Sequence, residues 1–555
     1  MPPWSLPWRR PRSKPEWPAV HAPPEPRAAA EGAEAALADA EASLSVQPAM
    51  ALQNAEQVLR AHPQSPRALR VAAAAAAALG DTETALDHFT LLLHLEPHDA
   101  ASAASMAALL RGAGQPARAV RLLERQLERD PAQAVLRLEL AQALYAQARH
   151  DDAAEQLRRV LAAEPGHAAA LNLLGLIVAR ETGDLAEGEA LVRAALRAAP
   201  EWNAASSNLG WILAEQGRLA EALELFSVVL ERAPGDAETR FMRASALLKQ
   251  GRFREGWRDY EARHDSNSPS AVANRRAAAA VHAPRLDSLD SVAGRRVRVL
   301  AEQGLGDQIM FASCLPDLIA RGAHCTVECE PRLKALFERS FPAARFSAER
   351  ASGEASDFQL MAGSLPGFLR NGWEDFPRHE GFLRADPAAV SAWRNRLAEL
   401  GPGLKLGISW RGGMSSTRRQ LRSLALDELL APLAGRGHHF ISLQYGDCAR
   451  ELAALPSGLP PVHHWPDELS DYDRTAALVT ALDGVISVCT AVVHLTGSLG
   501  KPAWVLTPAV PEWRYLAEGT RMPWYPSVHL VRQSHGEPWG PVVERARRLA
   551  EMALG

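Results

Sequence analysis

Residues 203–236 read NAASSNLGWILAEQGRLAEALELFSVVLERAPGD. Two apolar-periodic runs flank a turn at Gln216-Gly217-Arg218, and Pro234 stands after the second run. Apolar residues three and four apart predict amphipathic helices, and a proline cannot continue a helix. Small residues at Gly210 and Ala222 let the paired helices approach, while Phe226, four positions after Ala222, fills the gap to the next helix. The signature recurs upstream. Pro63, Pro97, Pro131, Pro165, Pro200 and Pro234 are 34, 34, 34, 35 and 34 residues apart. Twelve residues before most of them stands alanine (Ala51, Ala85, Ala119, Ala153, Ala222), and seventeen before stands glycine at Gly80, Gly114 and Gly217. The unit ending at Pro200 departs, with Gly188 in place of alanine and one inserted residue.

This pattern resembles the tetratricopeptide repeat, a 34-residue helix–turn–helix unit with the same small, bulky and proline positions. The repeats are expected over residues 32–264 as a superhelix of about seven units. A helix pair cannot bury its apolar face alone, so stacking drives folding. In the last unit Phe253, Trp257 and Tyr260 share one helical face and predict a capping and docking surface for the C-terminal half of the chain. The array reads either as a passive spacer or as a groove that binds a protein partner.

The chain has 555 residues, too many for one core. Apolar residues are 47% and charged residues 23%, a soluble globular balance. Sixty-one basic against 65 acidic residues give a net charge of −4, which argues against nucleic acid as a partner. Five cysteines are too few for a disulfide framework, so a reducing compartment, the cytoplasm, is expected. No run approaches the roughly 20 apolar residues of a membrane span. Residues 1–31, rich in Pro and Arg with Trp4, Trp8 and Trp17, read as a disordered basic tail, or as a weak contact for an anionic surface or partner.

Residues 265–293 are polar and alanine-rich and read as a linker. The period then changes. Arg296–Leu300 is strand-like and runs through Ala301-Glu-Gln-Gly-Leu-Gly-Asp307 into a helix from about Gln308 to Ala320, and Cys325–Cys329 is the next strand. That is a βαβ unit with a glycine-rich first turn. A second series runs from Leu404–Trp410 through strands at His439–Leu443, Gly484–Val488 and Ala503–Leu506, with helices at Asp427–Ala434, Thr475–Ala481, Ala491–Leu499 and Val542–Ala553. Two Rossmann-like lobes facing a cleft are expected, 294–384 and 385–555, the first short enough to lean on the last repeat helices.

Glu302-Gln-Gly-Leu-Gly-Asp307, Ser409-Trp-Arg-Gly-Gly413 with Arg422-Ser423, and Ile486-Ser-Val-Cys-Thr-Ala-Val-Val-His494 with Gly500-Lys-Pro-Ala-Trp504 together resemble bacterial tetratricopeptide-repeat glycosyltransferases. These are similar to heptosyltransferases in the catalytic half and, in architecture, to protein O-linked N-acetylglucosamine transferases of the SPINDLY type. The resemblance implies an α-solenoid and then an α/β GT-B-type domain, and an inverting, metal-independent transfer from a nucleotide sugar with no cofactor. UDP-GlcNAc is the first choice of donor, with GDP- and CMP-sugars as the others. The implied acceptor is a Ser or Thr hydroxyl of a protein such as flagellin or another surface protein. Rival readings are a repeat scaffold with a degenerate transferase half, and a transferase acting on lipopolysaccharide or another glycan. Repeat edges can self-associate, so a homodimer is an open expectation.

Inverting transfer needs a base for the acceptor hydroxyl, and a carboxylate suits it. The resemblance puts Asp307 in that role; the alternative is a plain helix N-cap. Glu302, Gln303, Gly304 and Gly306 are candidates for acceptor contacts. A metal-free leaving group must be met by cations and backbone amides. The helix start at Thr490-Ala491 offers amides and a dipole, and His494 lies one turn on; each also reads as a simple cap or packed residue. Arg411, Arg418, Arg419 and Arg422 cluster around Gly412-Gly413, with Ser423 beside them, and guanidinium forks match phosphate oxygens. Arg411 and Arg422 are preferred because they lie in the matched motifs; a solvated basic loop is the alternative. Gln444 stands after a strand end where such folds seat a base, and Trp513, with Arg514, Trp524 and Tyr525, could wall a pocket or pack in a core. Cys489 stands where heptosyltransferase-like chains carry an acid, and it reads by default as a buried inert thiol. No histidine set has metal-ligand spacing.

Overall fold

The computed structural model describes residues 27–266, 268–349, 355–413 and 419–555. Trp4, Trp8 and Trp17, most of the expected tail, and Arg418 lie outside the described residues. The described residues divide into two compact units, one up to residue 184 and the other from residue 185.

The first unit is built of helices: α1 Arg27–Ser43, α2 Pro48–Ala61, α3 Pro66–Ala78, α4 Thr82–Leu95, α5 Ala100–Gly112, α6 Pro116–Arg129, α7 Ala134–Ala146, α8 His150–Ala163 and α9 Ala168–Ile177. α1 starts inside the stretch expected as tail. Consecutive helices pack on one another. The alanines of the 34-residue signature, Ala51, Ala85, Ala119 and Ala153, are wholly buried. Gly80 and Gly114 take the left-handed conformation at the turn (φ 79° and 72°). Ala148 takes the same turn position one repeat on, at φ 58°. The inserted residue of the irregular unit has a visible home. α9 runs into a π-helical turn, Val178–Thr182, closed by Gly183 at φ 75°; a π turn absorbs one extra residue without breaking the helix.

The second unit opens with α10 Leu185–Ala198, α11 Asn203–Glu215, α12 Leu219–Arg232, α13 Ala237–Lys249 and α14 Phe253–Tyr260. A Cβ on Gly210 would stand 2.6 Å from the Phe226 ring, which is why this position is glycine. Residues 265–293, expected as a linker, are packed instead. They contain α15, Pro269–Ala280, capped by Ser268. The Gln359 side-chain amide donates to the carbonyls of Ala278, Val281 and Ala283 at 3.0, 3.0 and 2.7 Å, and Leu286 and Val292 enter the core.

The α/β region contains, among the described residues, two sheets. β1 Arg296–Leu300, β2 His324–Glu328, β3 Arg345–Ser347 and β4 Phe358–Met361 form a parallel sheet in the order β3-β2-β1-β4. β5 Lys405–Ser409, β6 His439–Ser442, β7 Val462–His463, β8 Gly484–Val488, β9 Ala503–Thr507, β10 Arg521–Met522 and β11 Tyr525–Arg532 form the second, β10-β11-β9-β8-β5-β6-β7, parallel except for β10. The helix expected to run to Ala320 is broken into α16, Leu305–Ala312, and a second helix, Leu315–Ala320. Pro316, without an N–H, starts a new helix rather than continuing the old one. The stretch around Pro526, turn-rich by composition, is strand β11. Its ladder with β9 begins only at Val528, so the proline costs that ladder nothing.

One core joins Ala244, Leu248, Phe253, Trp257 and Tyr260 of α13 and α14 to one face of the first sheet and to one face of the second; the opposite face of the first sheet packs Leu300 and Met361 with Val281. The lean of the first sheet on the last helix pair is therefore a shared core. The other face of the second sheet buries Trp410, Trp504 and the helix Trp539–Leu554.

Candidate functional site

β1 ends at Leu300, and the chain turns through 301–304 into α16. Asp307 is the third residue of that helix. Its Oδ2 accepts the Gly304 N–H at 3.4 Å, so the carboxylate does tie down the helix start. Its Oδ1 faces elsewhere and accepts the Arg514 Nε at 2.5 Å. Gly306 has a packing reason: a Cβ there would lie 3.0 Å from His494 Cδ2 and 3.4 Å from Ala491 Cα. The start of α16 thus sits on the start of the helix Ala491–Ser498. Gly304 makes no such close approach.

Thr490 is the N-cap of that second helix (φ −139°, ψ 174°), yet its side chain makes no cap bond; its hydroxyl lies 3.3 Å from Ser487 Oγ. His494 is buried, with Nδ1 3.1 Å from the Tyr525 hydroxyl. Burial, aided by the Arg514 charge, pushes its pKa down to about 3, so the ring is neutral. Burial also raises the Tyr525 hydroxyl well above its ordinary value. Cys489 donates to the Leu506 carbonyl at 3.8 Å, and burial pushes its thiol up to about 12, which leaves it an inert thiol.

The arginines divide. Arg422 is buried; it donates to the Cys489 carbonyl at 3.2 Å and pairs with Glu512 at 3.3 Å. Arg411 turns away, pairing with Glu451 at 3.0 Å and donating to the Asp447 carbonyl at 2.8 Å. Ser423 is spent within its loop: its hydroxyl donates to the Arg419 carbonyl and accepts from the Gly412 N–H. Gln444, a candidate for a base pocket, is buried, and its Oε1 accepts from the backbone of Trp410 and Arg411 at 3.1 and 2.9 Å. It staples the end of β5.

Glu302, a candidate acceptor contact, is corrected by its burial: 2% exposed, it accepts from Arg263 at 2.9 and 2.7 Å and from the Gly363 N–H at 2.7 Å. A carboxylate so committed has no face for a ligand. Gln303 is partly exposed in the left-handed region (φ 63°); its Nε2 donates to the Tyr260 hydroxyl at 2.6 Å and its Oε1 accepts from Arg514 at 3.3 Å. Trp513 is also core rather than open wall, packed edge-on against Trp257 and Tyr260 with ring centroids 5.4 and 5.6 Å away.

The structure therefore gathers Gln303, Gly306, Asp307, Ala491, His494 and Arg422 along one seam and leaves Arg411, Ser423, Gln444 and Glu302 in local networks. Of the residues that join the seam, Glu512 escaped the motif reading, and Arg514 entered it only as part of a stretch that could wall a pocket. Their signal was two charges at alternate positions in the apolar run 510–516, since buried charges need partners. A cavity of about 580 Å³ has none of these side chains in its lining, which is 217–221, 249–252, Trp373 and 516–518. Among the described residues, no three His, Cys, Asp or Glu side chains are grouped to hold a metal ion, and no helix is long and apolar enough to cross a membrane.

The chain matches the tetratricopeptide-repeat family at residues 45–100, 110–177 and 177–237. It is 34% identical to protein FlbA of Caulobacter vibrioides over 441 residues, 73% of this chain and 71% of that protein. It is 38% identical over 80 residues to the TPR repeat-containing protein PA4667 of Pseudomonas aeruginosa, 14% of each chain. A solved tetratricopeptide-repeat structure from Parabacteroides merdae is 14% identical, with 44% of this chain and 97% of that one covered, at a TM-score of 0.38. The length and identity of the first match extend well past the repeats, and this chain belongs to the family of FlbA, as a tetratricopeptide-repeat protein.

Proposed function

We propose that this protein binds a protein partner through its repeats and, in its α/β half, binds a nucleotide sugar and transfers the sugar to a Ser or Thr hydroxyl of that partner. The interaction role is the broader part and has the wider support, since stacked repeats of this kind leave extended surfaces for partners. The observation that carries the transferase part is the seam: a carboxylate at one helix start, a second helix start packed on it, and two arginines beside them. In this reading the two sheets are the lobes of a GT-B-like fold. Asp307 takes the acceptor proton as the oxygen attacks the anomeric carbon from the face opposite the leaving group. The amides at Ala491, the Thr490 hydroxyl and Arg422 meet the charge on the departing diphosphate. The five cysteines are free and buried, which fits a reducing compartment such as the cytoplasm.

A second reading has its own observation. Asp307 is engaged by Arg514, and Cys489 is a buried thiol where the resemblance to heptosyltransferases leads one to expect an acid. On that reading the α/β half binds without transferring, and the protein is a scaffold. Melting of the purified protein against UDP-, GDP- and CMP-sugars, with UDP-GlcNAc first, tests binding, because a ligand of the folded form raises Tm by mass action. Donor turnover, together with a mass increase on a co-expressed partner protein, supports transfer. Binding without turnover supports the scaffold. Neither binding nor turnover across the panel ends the transferase reading.

A further inference from the structure

The carboxylate assigned as base is not open to an acceptor. Arg514 contacts Asp307 Oδ1 through two of its guanidinium nitrogens, with the Nε at 2.5 Å. The same guanidinium reaches Glu512 Oε2 and Gln303 Oε1, each at 3.3 Å, and lies 4.5 Å above the Trp513 ring. The other oxygen of Glu512 pairs with Arg422, also at 3.3 Å. The run Asp307, Arg514, Glu512, Arg422 alternates in sign and sums to zero.

Both chain segments at this contact are held in an uncommon backbone conformation. Gln303 (φ 63°) precedes Asp307, and Leu516 (φ 55°) comes after Arg514; among the described residues, Ala148 is the remaining non-glycine residue with positive φ. Such conformations persist where surrounding structure over-determines them. Here that support comes from the last helix pair. The Tyr260 hydroxyl holds Gln303 at 2.6 Å, the Ala517 N–H donates to the Lys249 carbonyl at 2.7 Å, and Trp513 packs on Trp257 and Tyr260.

A neutral quartet does not draw in a diphosphate, although two of its members are the side chains best shaped to bind one. An arriving diphosphate competes with Asp307 and Glu512 for the same N–H donors. We propose that Arg514 latches Asp307: it sits on the carboxylate until a diphosphate reaches the seam, then turns to the phosphate oxygens and leaves Asp307 free. This rests on the transferase reading. The acceptor O–H proton then passes to Asp307 and the new C–O bond forms at the anomeric carbon. The bond from that carbon to the diphosphate oxygen breaks, and its electron pair leaves on the diphosphate, where Arg514 and Arg422 meet the charge. Donor binding comes first, and an acceptor arriving early meets an occupied base.

The test is the sign of an affinity change. Full-length protein is titrated with UDP, GDP and inorganic pyrophosphate, as wild type and as Asp307→Asn, Arg514→Gln, Arg514→Lys, Glu512→Gln and the double variant Asp307→Asn/Arg514→Gln. Asp307→Asn is expected to bind a diphosphate about tenfold tighter than wild type, because the competitor for Arg514 is gone. Arg514→Gln weakens binding by a similar factor, Arg514→Lys restores part of it, and the double variant matches Arg514→Gln, a non-additivity that marks direct coupling. Glu512→Gln also tightens binding and serves if Asp307→Asn does not fold. Unchanged or weaker binding by Asp307→Asn and Glu512→Gln overturns the latch, as does an absence of binding by wild type and both variants. The transferase reading fails separately: this affinity pattern with no turnover of any UDP-, GDP- or CMP-sugar by wild type ends that reading and leaves the charge competition in place.

Discussion

Two kinds of contact surface hold this protein together, and they are made of opposite materials. Between the repeat helices of the first unit the buried contacts are apolar, alanines such as Ala51, Ala85, Ala119 and Ala153 beside Phe89, Leu92, Leu123 and Leu157, chemically indifferent to their neighbours. In the second unit buried contacts are also charged: Arg514 with Asp307 and Arg422 with Glu512 along the seam, and Arg263 with Glu302 beside it. A small apolar side chain gains by burial wherever it lands. A buried charge is tolerated only beside a particular partner. The partners here are 39 and 207 residues apart for Arg263–Glu302 and Arg514–Asp307. The first surface forgives error, and the second is specific and sensitive.

That contrast is open to direct attack, and the largest effect is expected at the buried charge pairs. Arg263→Met leaves Glu302 buried and unpaired and is expected to cost about 3–5 kcal/mol, read by denaturant unfolding of the α/β signal. A loss below about 1 kcal/mol would mean the pair behaves like an exposed one.

Acid comes next. His494 and His264 are held neutral by burial, with pKa values pushed to about 3 and about 4 from an ordinary 6.5. The unfolded chain gains a proton on each near pH 6.5 while the folded chain does not. Their contribution to stability is whole above pH 6.5 and is lost as pH falls towards 4 and then 3. Each is expected to tilt stability by about 1.4 kcal/mol per pH unit within its window. Melting from pH 7.5 to 4.5 measures this, and His494→Gln should flatten the slope by one histidine's share; an unaltered slope would refute the neutral, buried ring.

The repeats should respond more mildly. Gly210→Ala sets a methyl 2.6 Å from the Phe226 ring and is expected to cost about 1–3 kcal/mol in thermal or urea unfolding, and a neutral result would show that the ring swings aside freely. The smallest change has the opposite sign. Ala148→Gly relieves a left-handed turn and is expected to stabilise the first unit by about 1 kcal/mol; a lower Tm would contradict the strain.

The same contrast explains what is legible in the sequence. The repeats are legible because each helix carries its own instruction within 34 residues, and even the irregular unit announces its extra residue, which becomes the turn Val178–Thr182. The strands with β-branched patterns, Arg296–Leu300 by alternation and Gly484–Val488 as a near-continuous run, are legible for the same local reason. The packing of 265–293 is not, because it depends on Gln359 reaching back to three carbonyls. In the site, motif spacing gathers Asp307, Gly306, Ala491 and His494. It cannot tell Arg422, aimed at Glu512, from Arg411, aimed at Glu451, since the choice is made by carboxylates distant in sequence. Glu302 looks like a ligand contact because it adjoins the glycine turn; only Arg263, in the turn Glu261–His264 after α14, reveals it as an anchor.

The core shared by α13, α14 and the first sheet sets where this gene can be cut and rejoined. By pattern those helices are one more copy of a modular unit; by packing they are the floor of the neighbouring machinery. An exchange of binding arrays between homologous proteins that spliced at residue 265 would strip Trp257, Tyr260 and Arg263 from the parts they support. Recombination that preserves the enclosed interior has to fall upstream, between earlier copies, so the terminal pair travels in inheritance with the α/β half.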